Sequence, residues 1–278
     1  MLARVQSHLL QGIDALPCEV EIDVDESAFV DGNRAVVLVG LPDAGVREAH
    51  ERVRTAMTNS GFVFPRGKVV VNLAPADVRK EGPVYDLPIA VGILAAMGVV
   101  GRRAAVRVGG GPEAGEGLDY RTLVIAGELA LDGRVRPIRG ALAMTAMAKA
   151  RGARGVVVPV DNAPEAAVVQ GIDVFGVATL AELVGLLTGT LDAQSFAPPD
   201  VGSLLRNAAA PIDFAEVRGQ EGVKRALTIA AAGGHNLLRS GPSAPLGDRR
   251  RPKAVGHNLV VFGPTHRLGR GLTRLRAA

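Results

Sequence analysis

The chain has 278 residues, 47% of them hydrophobic and 22% charged, with a formal net charge of +4. This is room for one large domain, or one domain and part of a second, and the balance is that of a globular protein rather than a fibrous or disordered one. The single Cys18 excludes an internal disulfide framework and fits a reducing cytosol. Arg4 is followed by no apolar leader core before Glu19, Glu21 and Asp23, which speaks against a secretory signal.

Taken in chain order, Leu2–Leu10 predicts a strand of mixed polarity. Cys18–Val24 predicts a second one, with Cys18, Val20, Ile22 and Val24 facing inward and the three acids facing solvent. Ala35–Val39 predicts a buried strand. Asp43 then caps a helix over roughly 44–60, whose apolar stripe is Val46, Ala49, Val53, Ala56 and Met57, with Glu48 and Arg52 as an i,i+4 pair. Lys68–Leu73 is a strand and 78–84 a loop. Asp86 is expected to cap a helix to about Met97 that is apolar nearly all round. The apolar run Leu87–Val100 is too short to cross a membrane and reads as a central core helix.

Residues 101–120 are rich in glycine and charge and read as an insertion. A strand at Leu123–Ala126 and a hairpin through Asp132-Gly133 follow. Then come a helix at Ala141–Arg151, strands at Val156–Pro159 and Val174–Val177, and helices at Pro164–Gln170 and Leu180–Leu187. This alternation argues an α/β (α+β) domain with helices on a sheet. Residues 191–211 are rich in Ala, Pro and Ser and read as a linker to a second domain starting near Ile212.

The second domain begins like a nucleotide site: a helix, an apolar strand at Asn236–Leu238, then Gly241-Pro242. A phosphate-binding loop next needs a glycine, a lysine and a Ser or Thr, so that backbone N–H groups and the ammonium hold phosphate. Leu246, Gly247 and Asp248 stand at those three positions, and a carboxylate repels phosphate. Gly234–Leu238 and Gly256–Val260 repeat a short Gly-His-Asn-Leu pattern. Residues 239–278 hold nine Lys or Arg against one acid, so the rest of the chain is net acidic. Such a basic tail attracts nucleic-acid phosphates without reading sequence, and a merely solvated end is the equally simple reading. The five histidines show no metal-ligand spacing.

Several stretches resemble the bacterial ComM/YifB family of magnesium-chelatase-like AAA+ ATPases. They are Val39-Gly-Leu-Pro-Asp-Ala44, Glu51-Arg-Val-Arg-Thr-Ala-Met-Thr-Asn-Ser-Gly61, Val71-Asn-Leu-Ala-Pro-Ala-Asp-Val78, Lys80-Glu-Gly-Pro83, Asp86-Leu-Pro-Ile-Ala90 and Gly127-Glu-Leu-Ala-Leu131. Gly219-Gln-Glu221 and Ala230–Leu238 extend the likeness, which covers about residues 1–242. The resemblance implies an N-terminal domain (1–190) with the fold shared by ribosomal protein S5 domain 2 and the Lon proteolytic domain. It also implies the start of an AAA+ domain over 212–242 and leaves 243–278 as a basic tail. It implies ATP and Mg²⁺ as cofactors, Gly219 and Gln220 near the adenine, Gly241 and Pro242 at the phosphates, a hexamer, and DNA as partner in recombination and transformation. The missing lysine and hydroxyl predict a shortened, ATPase-inactive member, or alternatively a non-enzymatic assembly or DNA-binding module. The likeness to Lon places a Ser–Lys dyad at Val84 and near Ala141–Ala143, where neither residue type is present.

Overall fold

The computed structural model describes residues 2–25, 36–101, 117–200, 219–233, 237–239 and 260–262. They fall into two compact units, Met1–Leu205 and Arg206–Ala278.

The first unit opens with a long hairpin. β1 (Leu2–Gln11) pairs antiparallel with β2 (Asp14–Asp25), and the tight turn passes through Gly12 at φ +65. β3 (Val36–Val39) and β4 (Lys68–Ala74) run parallel, and β4 adds antiparallel to β2. Beyond β1 lie β5 (Leu123–Ile125), β8 (Gly155–Pro159) and β9 (Asp173–Val177), all parallel. The seven-stranded order is β3-β4-β2-β1-β5-β8-β9. A small separate hairpin joins β6 (Glu128–Leu129) to β7 (Val135–Arg136) around Asp132-Gly133.

Strand alternation sends two sets of apolar side chains to opposite faces. On one face Val5, Val20, Ile22, Val71, Leu73, Leu123 and Val157 pack with α2 (Ala49–Asn59), α3 (Asp86–Ala96) and α6 (Leu180–Thr188). On the other, Val124, Val156, Val158 and Val174 pack with α4 (Ala141–Ala150) and α5 (Ala163–Ala166). Every residue of α3 is buried, as its apolar run predicts. Gly92 lets it approach the sheet: a Cβ there would lie 2.1 Å from Ile22 Cδ1.

Four expectations are corrected in detail. The helix over 44–60 is interrupted at Glu48, giving α1 (Ala44–Arg47) and then α2; all five stripe residues are buried. Asp86 does not cap α3; it lies in the first turn and its carboxylate is drawn away by Arg52. The acids of β2 are not simply solvated. Glu21 accepts from Arg4 Nε (3.1 Å) and Asn72 Nδ2 (2.8 Å), and Glu19 from Gln6 Nε2 (2.6 Å). The helix expected at 164–170 is also shorter, running only over Ala163–Ala166 after a 3-10 turn at Val160–Asn162.

Part of the expected insertion, 102–116, part of the linker, 201–211, and the first residues of the expected AAA+ start, 212–218, lie outside the described residues. The linker's first residues are ordered against the sheet. Phe196 N–H donates to Val174 O at 2.7 Å and Ser195 Oγ accepts from Val174 N–H at 3.1 Å, so they occupy the free edge of β9.

In the second unit, α7 (Glu221–Gly233) follows Gly219 and Gln220, and β10 (Leu237–Arg239) pairs antiparallel with β11 (Val260–Phe262). β10 takes in Leu237 and Leu238 of the first Gly-His-Asn-Leu copy, and β11 starts at Val260, the last residue of the second; Leu237 and Leu238 pair with Phe262 and Val261.

Candidate functional site

The motifs that stand far apart in the sequence meet around the segment 80–86. Gly40 ends β3 at φ +99, and a Cβ there would sit 2.1 Å from Leu73 O, so only glycine permits this approach. Leu41 follows at φ +54, a conformation a leucine adopts only when its surroundings hold it. What holds it is a short parallel bridge: Lys80 N–H donates to Leu41 O (3.1 Å) and Asp43 N–H to Lys80 O (3.0 Å). Asp43 then works at both carboxylate oxygens. Oδ1 accepts from Val46 N–H at 2.7 Å, the expected helix cap, and Oδ2 accepts from Gly82 N–H at 3.2 Å.

The Lys80 side chain turns inward and is fully buried, donating from Nζ to the Pro75 carbonyl. Burial lowers its pKa, opposed by the nearby Cys18 and Asp77. The same pocket of low polarity pushes the Cys18 thiol up to about 11 and raises Tyr85 far above its usual range, burial being the main cause in both.

One helical turn on, Asp86 is fully buried and receives Arg52 as a fork: Nε to Oδ2 at 2.7 Å and Nη2 to Oδ1 at 2.9 Å. Leu129 N–H adds a third bond at 3.2 Å, and Arg52 Nη2 also holds Gly45 O at 2.9 Å. Burial pushes the Asp86 carboxyl up to about 6 against the pull of Arg52, so it is ionised at neutral pH. Glu48, the expected partner of Arg52, lies 3.8 Å away and is exposed. Sequence reasoning missed this pair because it joins residues 34 apart. The available signal was a lone carboxylate opening a helix that is otherwise apolar all round.

Val84 is half-buried in a 3-10 turn at Pro83–Tyr85 and packs on both cores, while Ala141 is fully buried at the start of α4. Lys149 reaches outward to Gln170 O at 2.6 Å. Asn162 and Glu165 fix the turn before α4 by holding the backbone of Ile138 and Leu142. These places offer packing and no nucleophile.

Gly219 and Gln220 lie exposed at the start of α7, at φ +71 and +58. The Gln220 carbonyl accepts from Val223 and Lys224 N–H and so opens the helix. Gly241 and Pro242 lie outside the described residues. Gly247 and Asp248, the residues at the sequence positions expected for the ammonium and the hydroxyl of a phosphate loop, lie outside them as well. Among the described residues no three His, Cys, Asp or Glu side chains gather as a metal site.

A family model described as subunit ChlI of Mg-chelatase matches residues 22–162, and a second, described as magnesium chelatase, subunit ChlI, matches 213–246. The chain belongs to the ComM/YifB family of magnesium-chelatase-like proteins. It is similar to YifB of Escherichia coli, at 37% identity over 241 residues covering 87% of this chain and 43% of that protein. It is similar to the competence protein ComM of Haemophilus influenzae, at 35% over 246 residues with the same shares. An uncharacterized protein of Mycobacterium tuberculosis is 38% identical over 241 residues. The chain thus spans less than half the length of these curated relatives. The match to the ChlI model, over 22–162, covers both Asp43 and the Lys80–Asp86 segment, so this hydrogen-bonded cluster is built from residues inside the family-matched region.

Proposed function

We propose that this chain acts as a non-catalytic module of the ComM/YifB type: an N-terminal domain over 1–190 with the ribosomal S5 domain 2 and Lon-like fold, a linker over 191–211, an AAA+ start over 212–242 and a basic tail. The observation that carries the reading is how the motif residues spend their polar groups. Asp43, Lys80, Arg52 and Asp86 are engaged with backbone or with one another, and none presents an available base or nucleophile. Such a network sets shape, as an assembly element would, rather than performing chemistry.

The family likeness supports ATP and Mg²⁺ for full-length relatives, and DNA and a ring of like subunits as partners. In this chain Gly247 and Asp248 remove the phosphate and metal ligands, so we assign it assembly with such relatives, or attachment to DNA, in place of ATP turnover. Phosphate release from Mg²⁺-ATP by the purified chain tests this. The expected rate equals the buffer background. Turnover above background that Gly241→Val abolishes would overturn the reading.

A further inference from the structure

Away from that hydrogen-bonded cluster, a cleft of about 520 Å³ opens between the β1–β2 hairpin and the C-terminal end of α4. Three guanidinium groups line it: Arg121 from the turn before β5, Arg151 at the end of α4 and Arg154 just before β8. Two local ion pairs settle most of the other charge. Arg121 is forked onto Asp119 at 2.9 and 3.1 Å. Glu19, the carboxylate in the wall, is held by Gln6 at 2.6 Å and lies 3.7 Å from Arg4. Arg151 and Arg154 are left without a side-chain partner among the described residues.

The end of α4 does not neutralise them through its carbonyls. Those of Met147, Ala148 and Lys149 accept from the N–H groups of Arg151, Gly152 and Ala153. Arg151 and Arg154 stand three residues apart and both line the cleft, and an anion bound between two like charges relieves their repulsion. Guanidinium favours oxyanions of fork geometry, phosphate above all. Among the described residues no aromatic side chain lines the cleft, so none of them stacks on a base there.

We propose that this cleft is a phosphate site, in which Arg151 and Arg154 hold the phosphate of a nucleic-acid strand or of a small phosphorylated compound. Gln6 and Thr122 stand in the same wall, already donating to Glu19 (2.6 Å) and to Asp119 O (2.8 Å), so the two guanidinium groups supply the binding. The site is separate from the nucleotide positions of the second unit and does not depend on the proposed module role.

The test uses the full chain with Arg249, Arg250 and Arg251 changed to Gln, so that the tail does not mask the cleft. Two probes distinguish the source: a fluorescent single-stranded oligonucleotide read by anisotropy, and inorganic pyrophosphate read by titration calorimetry. R151Q/R154Q is expected to weaken at least one probe by roughly tenfold or more. For the strand it should lower the slope of log affinity against log salt by about 1.4. R151K/R154K retains charge and should keep most of the binding. Both positions are exposed and unpartnered, so the melting temperature should not move. Dependence of the oligonucleotide alone on the pair identifies a strand, and dependence of pyrophosphate identifies a small compound. Equal affinity of parent and R151Q/R154Q for both probes would overturn the proposal.

Discussion

Arg52 and Asp86 carry the largest single electrostatic stake. A buried carboxylate stripped of its cation keeps its desolvation cost and loses its compensation. Arg52→Ala is therefore expected to cost about 3–5 kcal/mol in urea unfolding. Glu48→Ala, at the exposed position that sequence spacing singles out, should cost less than about 0.5 kcal/mol. His8 gives a second test. It is buried on β1, its Nδ1 has no partner among the described residues, and burial lowers its pKa to about 4. The unfolded chain takes up that proton first, so acid favours unfolding. The stability linked to His8 is complete above about pH 6.5 and falls by about 3 kcal/mol as pH drops to about 4. Asp86 works in the opposite sense. Its folded carboxyl keeps a proton up to about 6, so its contribution falls as pH rises from about 4 to 6. Wild type should show a flattened profile over this window. His8→Gln should instead gain stability on acidification, as followed by denaturant midpoints at each pH. A His8→Gln profile parallel to wild type would contradict the assignment.

At the scale of elements, strands and helices whose burial has one clear period were legible. β2 shows its alternation directly, and α3 its all-round apolar surface. What escaped was decided by tertiary contacts. The 44–60 helix breaks at Glu48 where Arg52 and Asp43 tie α1 to the 80–86 segment. Ser195 and Phe196 sit in a stretch whose composition says linker, yet the open edge of β9 offers them backbone partners. The close passage of α3 over β2 is likewise invisible in sequence, where Gly92 reads only as a weak point in a helix. Gly92→Val is expected to cost about 2–4 kcal/mol by overpacking against Ile22. Pairing it with Ile22→Ala should recover part of that loss in a double-mutant cycle. Additive costs would mean that the two residues do not meet.

At the scale of the whole molecule, the sequence divides its labour unevenly. The first unit contains both cores and the interlocked motifs, and the excess positive charge belongs to the last forty residues. Family membership was legible because its motifs are dense and colinear. The use those motifs are put to was not, since Lys80 reads as a loop charge until its backbone is seen paired with Leu41 and Asp43. The central claim is that this motif cluster is a structural interlock and not a catalytic loop that opens. Native-state hydrogen exchange of the full chain measures this at the N–H groups of Asp43, Val46, Lys80 and Gly82. The interlock predicts protection approaching that of the Val20 and Val71 amides in the sheet, lost only on global unfolding. Exchange of these four amides at the rate of an open loop, with the sheet still protected, would contradict it.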